Sequence, residues 1–195
     1  MNGNNLFNQN FEMAREFNND YAQIKIDGLW GFIDKKGSVR INPQFYDSMH
    51  FFNDLAIVRG ENSKKRIIDK MGNTLFENTK STTDLSGYLI DDWFCFIEKK
   101  TAYMNYCGII NSKGEEILKA EFEKIWVTKD GKLITYKYDG KKITQNLIEK
   151  QKDNTTKILF TIEGLDIELI DHNNNFFTIR EGFLNKILLN ICLIK

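Results

Sequence analysis

The stretch Ala22-Gln23-Ile24-Lys25-Ile26-Asp27-Gly28-Leu29-Trp30-Gly31-Phe32-Ile33-Asp34-Lys35-Lys36-Gly37 decides the fold. Two short runs of alternating apolar residues flank Asp27-Gly28, and the second run ends in Lys35-Lys36-Gly37. Asp and Gly tolerate the positive φ of a type I′ reversal, whose twist matches that of the strands it joins. The spacing therefore predicts a hairpin of residues 22–26 with residues 29–34. A second reversal, with Gly37 left-handed, leads into a third strand at 38–42. Pro43, the single proline of the chain, is expected to end that strand because it removes a ladder donor. The aromatic-rich connector that follows, residues 44–54, reads as a loop or a short helical turn.

The phrase recurs along the chain. Phe11, Phe17, Asp20, Ala22, Asp34, Gly37 and Ile41 match Phe45, Phe51, Asp54, Ala56, Asp69, Gly72 and Phe76, at an offset of 34 up to the alanine and 35 beyond it. A third, longer copy takes residues 92–99 as its first strand. Its Cys107-Gly108-Ile109-Ile110-Asn111-Ser112-Lys113-Gly114 lies over residues 30–37. Eight residues beyond Gly37, Gly72 and Gly114 stand Phe45, Lys80 and Phe122, so two copies of three keep an aromatic there. In the fourth copy, residues 134–143 lie over 22–31 but lack the Trp-Gly. In the fifth, residues 177–180 resemble 56–59, and Leu188-Leu189-Asn190 falls in register with Ile67-Ile68-Asp69. Three short strands bury too little apolar surface to stand alone, so the units must stack. The expected fold is all-β, with tandem three-stranded antiparallel meanders stacked as an open solenoid or propeller-like array. It forms a single domain over 1–195, with clear repeats in 11–122 and degenerate repeats in 123–195.

The residues 28–37, followed by Val39, Ile41, Pro43, Phe45 and Leu55-Ala56-Ile57-Val58, resemble the WG-containing repeat of bacterial proteins. The first copy matches closely, the second and third partly, and the fourth is decayed. Lys65-Arg66, Cys107-Gly108 and Lys142-Ile143 stand where the first copy has Trp30-Gly31. The resemblance implies repeated β-units serving as an interaction surface in a bacterium, and it brings no catalytic residues. Trp30 reads as a packing tryptophan, and Gly31 as a site where a neighbouring backbone approaches closely.

Bulk chemistry narrows the function. Lys+Arg and Asp+Glu balance at 27 each, so the chain has no overall electrostatic pull on nucleic acid or anionic lipid, and neither is expected as a partner. The small lysine clusters lie at or near turns and read as solvated. Cys95, Cys107 and Cys192 are odd in number and form no CxxC pair, which argues against a disulfide framework. With only His50 and His172 besides, no metal site is expected, and the cysteines read as buried thiols in a reducing cytoplasm. The first ten residues lack the basic and apolar regions of a secretory signal, and no apolar run approaches the roughly 20 residues of a membrane helix.

No catalytic constellation emerges. Asp91-Asp92, Glu115-Glu116 and the Asp166/Glu168 pair read as solvated acids, and no phosphate loop or EF-hand is present. Asp34, Asp69 and Asn111 recur just before the turn glycine, which reads as Asx capping of the reversal. No catalytic or cofactor-binding residues are assigned. Residues 78–87 and the hairpin 99–106 depart from the repeat, and insertions of this kind often mark a binding side. Trp93, Tyr103, Tyr106 and Trp126 are therefore the candidate partner-binding anchors. The function expected is non-catalytic protein binding in a bacterial cytoplasm. The small size suits an immunity protein that neutralises a toxin partner. The contrasting expectation is a small-ligand binder or hydrolase whose cleft is lined by Trp93 and Tyr103.

Overall fold

A computed structural model describes residues 10–164, 167–173, 176–181 and 185–190, with side chains through residue 164. Cys192 and Asp166 lie outside the described residues. Every regular element among the described residues is a strand, arranged in successive antiparallel sheets. The first sheet is β1 (Met13–Ala14), β2 (Tyr21–Ile26), β3 (Leu29–Asp34) and β4 (Val39–Phe45), hydrogen-bonded in that order. The second is β5 (Asp47–Ser48), β6 (Leu55–Arg59), β7 (Lys65–Asp69) and β8 (Thr74–Glu77). The third is β9 (Thr83–Ile90), β10 (Trp93–Lys99), β11 (Asn105–Asn111) and β12 (Glu116–Phe122). The fourth is β13 (Lys124–Val127), β14 (Leu133–Tyr138), β15 (Ile143–Lys150) and β16 (Thr156–Gly164). The last is β17 (Ile167–Asn173), β18 (Phe176–Glu181) and β19 (Asn185–Asn190).

The repeated meander follows the sequence closely. Asp27 and Gly28 take φ of 50° and 76°, the left-handed pair of a type I′ turn, and set β2 on β3 from Ile26↔Leu29 to Tyr21↔Asp34. The fourth copy forms its equivalent hairpin, with β14 on β15 from Tyr138↔Ile143 to Leu133↔Ile148. In the fifth, β18 pairs β19 through Phe177↔Leu189 and Thr178↔Leu188.

Two local expectations change. The connector after the first repeat is neither plain loop nor helix: Asp47↔Arg59 and Ser48↔Val58 make it the first strand of the next sheet. Each of the first four meanders thus gains a fourth strand. A two-residue strand such as β5 is too short to show alternation in sequence. Nor does Pro43 end its strand, since β4 continues to Phe45. β4 is the last strand of its sheet, so the missing proline donor has no ladder partner to serve.

The described residues divide into two compact units, one holding those up to Phe94 with Asn111–Glu115, the other Cys95–Ile110 with those from Glu116 onward. In the first unit, Trp30, Phe32, Ile41 and Phe45 of the first sheet pack with Phe51, Ala56, Val58 and Ile68 of the second repeat. Each large side chain removed from water in this way stabilises the fold by about 1.5–3 kcal/mol relative to exposure. The Phe51 ring meets the Phe32 ring edge-on, with centroids 4.7 Å apart. A polar tie crosses the same joint. The buried Gln23 amide donates to the Ser48 carbonyl and hydroxyl, both at 2.7 Å, while Arg15 donates to Gln23 Oε1 and to the Ser48 carbonyl. The turn glycines add to the stacking. Gly72 faces the Ile41 side chain of the preceding sheet, and Gly114 faces the Phe76 ring at the same repeat position.

The second unit has its own cluster, Ile134, Leu147 and Ile162, against which Trp126, Leu159 and Phe160 pack.

Candidate protein-binding surface

The aromatic anchors expected from sequence separate by burial. Trp93 is completely buried, so it offers no face to a partner. Trp126 is half-buried against the Ile134 cluster of the fourth sheet. Tyr106 is half-buried on β11, and its hydroxyl donates to Met104 Sδ at 3.7 Å. Tyr103 is 96% exposed and Met104 55% exposed, side by side at the tip of the β10–β11 hairpin.

That tip is ordered by its own hydrogen bonds. The Lys100 and Thr101 N–H groups both reach the Met104 carbonyl, at 3.0 and 3.3 Å. Thr101 Oγ1 accepts from the N–H groups of Tyr103 and Met104, at 3.2 and 3.0 Å. A hydroxyl that closes a turn in this way fixes the loop locally. The exposed Tyr-Met pair is thereby held out on a defined turn, flanked by the Glu98–Lys100 ion pair. Of the four expected anchors, Trp93 is buried, Tyr106 and Trp126 are half-buried and Tyr103 is exposed, because an aromatic residue is compatible with core or surface.

The recurring motif residues serve the scaffold. Asp34 Oδ1 accepts from the N–H groups of Lys36 and Ser38, Asp69 Oδ1 from Met71 and Asn73, and Asn111 Oδ1 from Lys113 and Glu115. All six bonds are 2.8–3.0 Å, and each turn is closed by the glycine N–H on the Asx carbonyl. The second polar atom of each side chain takes a different partner: Arg40 on Asp34, Asn73 on Asp69, Glu115 from Asn111. Asp91 takes φ of 51° at the β9–β10 reversal, again a turn role. Trp30 is buried with the Arg15 guanidinium 4.4 Å from its ring centroid, so its face is already occupied.

The remaining chemistry-bearing residues fall as follows. His50 is half-buried beside a shallow depression lined by Ala14, Arg15, Glu16, Phe17 and Asn18. Cys95 and Cys107 lie on the adjacent strands β10 and β11, where the Cys95 thiol donates to the Phe96 carbonyl at 3.8 Å and the Cys107 thiol to the Glu123 carbonyl at 3.7 Å. The neighbouring Cys95 side chain holds the Cys107 thiol down at about 7, against the desolvation that pushes it up. Sequence spacing alone did not pair these cysteines; the long hairpin between them did. Among the described residues no group of three or more His, Cys, Asp or Glu gathers as a metal would require. No helix among them is long and apolar enough to cross a membrane.

The family model described as WG containing repeat matches residues 2–30, 30–64 and 108–141. The chain belongs to the WG-containing repeat family. Between the second and third matches of this WG-repeat protein, the unmatched residues 65–107 carry β9, β10 and the Tyr103–Met104 tip. No curated protein sequence matches the chain. Among solved structures, the WG-repeat protein is similar to a chain in the complex of KlAtg21 with the coiled-coil of AgAtg16, at 12% identity and a TM-score of 0.45. It is also similar to BamB from Moraxella catarrhalis, at 11% identity and a TM-score of 0.39. The matches cover 83% and 89% of this chain, which spans only 61% and 59% of those chains.

Proposed function

We propose that this WG-repeat protein is a non-catalytic protein-binding protein that presents the Tyr103–Met104 hairpin tip to a protein partner. The observation that carries the reading is the exposure of Tyr103 and Met104 on a hydrogen-bonded turn outside the segments that match the family repeat. Exposed aromatic and methionine side chains on an ordered turn supply contact area with little further ordering cost. The repeat's own Trp30, Asp34, Asp69 and Asn111 are spent on packing and turns, which leaves recognition to the inserted segment.

Within that class, we favour a cytoplasmic bacterial immunity protein whose partner is a toxin, on the strength of the aromatic insertion. A cleft lined by Trp93 and Tyr103 finds no support, because Trp93 has no exposed surface.

The test is affinity capture from the native host with the intact chain and with a Y103A/M104A double variant whose circular dichroism and melting match the parent. A stable protein partner recovered by the parent and lost by the variant supports the proposal. Absence of any stable partner, or undiminished capture by the variant, refutes it. For the narrower reading, co-expression must protect cells from the captured partner's toxicity.

A further inference from the structure

We propose that Cys95 and Cys107 form an oxidation site for small peroxides, which closes them reversibly into a cross-strand disulfide. The hairpin geometry makes the site. Lys100 N–H on the Met104 carbonyl sets Lys99 across from Asn105. Counting back along antiparallel strands places Phe96 across from Gly108, in agreement with the Phe96 ring lying where a Gly108 Cβ would go. In that register Ile97 faces Cys107 and Ile109 faces Cys95. The two cysteines are thus diagonal neighbours on one face of the sheet, and bridging them requires the strands to shift toward each other.

Their environments divide the labour. Cys107 is half-exposed, and its sulfur also approaches the Glu123 carbonyl at 3.7 Å. Cys95 is buried at 8% exposure, with its thiol on the Phe96 carbonyl at 3.8 Å. An accessible thiol that is substantially ionised at neutral pH, with a second thiol behind it, is the arrangement of an attacking and a resolving cysteine. The Cys107 thiolate attacks one peroxide oxygen: an S–O bond forms, the O–O bond breaks, and the departing hydroxide takes up the proton that the Cys107 thiol released on ionising. The Cys95 sulfur then attacks the Cys107 sulfur of the resulting sulfenic acid. The S–S bond forms, the S–O bond breaks, and the hydroxide released takes the Cys95 proton. Overall two thiols and one peroxide give one disulfide and two waters, the thiols losing two electrons. Because the pair is diagonal rather than directly opposed, the bridge pulls on both strands, and a strained bridge is more readily reduced.

The experiment uses the intact, reduced chain treated with stoichiometric hydrogen peroxide, blocked with N-ethylmaleimide, and mapped by peptide mass spectrometry. The expected result is a linked Cys95–Cys107 peptide lighter by two hydrogen atoms, which dithiothreitol restores to two thiols. Alkylation of Cys107 by iodoacetamide should rise with pH through a midpoint near 7. In C95S, dimedone should trap the sulfenic acid on Cys107, and C107S should leave Cys95 unoxidised. If C95S does not fold, the linkage map and the alkylation midpoint of the parent chain decide alone. The proposal is overturned if both thiols survive peroxide, if Cys107 oxidises to sulfinic or sulfonic acid without a bridge, or if either cysteine links only to Cys192.

Discussion

Gly31 lies against the backbone of Pro43: a Cβ on Gly31 would stand 2.7 Å from the Pro43 nitrogen and 2.9 Å from its Cα. The contact arises because β4 bulges there. The register runs from Trp30↔Phe45 to Phe32↔Ile41, so the outer strand has extra residues opposite Gly31. The third repeat does the same, from Cys107↔Phe122 to Ile109↔Leu118, and a Cβ on Gly108 would meet the Leu118 carbonyl at 2.7 Å. The second repeat pairs Arg66↔Glu77 and Ile67↔Phe76 without that step, and there the position holds Arg66. The glycine of the Trp-Gly pair therefore accompanies the bulge and the aromatic that follows it, Phe45 or Phe122, whereas the tryptophan can be exchanged.

Adding one methyl at this joint should be costly, because backbone cannot move aside as a flexible side chain can. G31A and G108A are each expected to lower stability by about 1–3 kcal/mol. Urea unfolding of the intact chain measures this; parental midpoints for both variants would contradict the bulge account.

Burial predicts opposite fates for two aromatics that the sequence does not distinguish. W93A removes a completely buried ring and should cost about 3–5 kcal/mol. Y103A removes a ring in solvent and should stay within about 0.5 kcal/mol of the parent. Thermal melting compared side by side checks both.

Asn111 is buried and caps two backbone N–H groups while its amide donates to Glu115 Oε2 at 2.6 Å. N111A strands those donors and should cost about 1–3 kcal/mol. N111D restores the acceptor but sets a carboxylate against Glu115, so its deficit should shrink when the pH is lowered enough to protonate one of the two acids.

Acid should weaken the fold through the turn carboxylates. At Asp34 and Asp69, partial desolvation pushes the pKa up. The N–H groups of the turn, with Arg40 at Asp34 and Asn73 at Asp69, outweigh it, and both end below the ordinary 3.8. Asp139 is lowered by the Lys142 and Lys141 N–H groups, and Asp153 by the Thr155 hydroxyl and N–H. For a carboxylate whose folded pKa is depressed, the stabilisation is complete above the unfolded value and lost as pH falls through the folded one. Melting temperature should therefore decline below about pH 4. D69N, which keeps the acceptor oxygen as Asn111 does, should flatten that decline.

The alternating runs around Asp27-Gly28 and the turn glycines determined the meander and its recurrence. Turn and strand preferences are local, and a φ of 76° at Gly28 or 80° at Gly37 is written into the residue that adopts it. The Asx caps at Asp34, Asp69 and Asn111 were readable for the same reason, since their partners lie two and four residues away. Only the tertiary structure decided what depends on residues distant in sequence. Strand β5 exists because β6 pairs with it, and Pro43 sits inside a strand because that strand is an edge. Burial separated Trp93 from Tyr103, although an aromatic residue is equally suited to a core or a surface. Cys95 and Cys107 met because the hairpin returned one strand beside the other, and spacing along the chain does not encode that proximity.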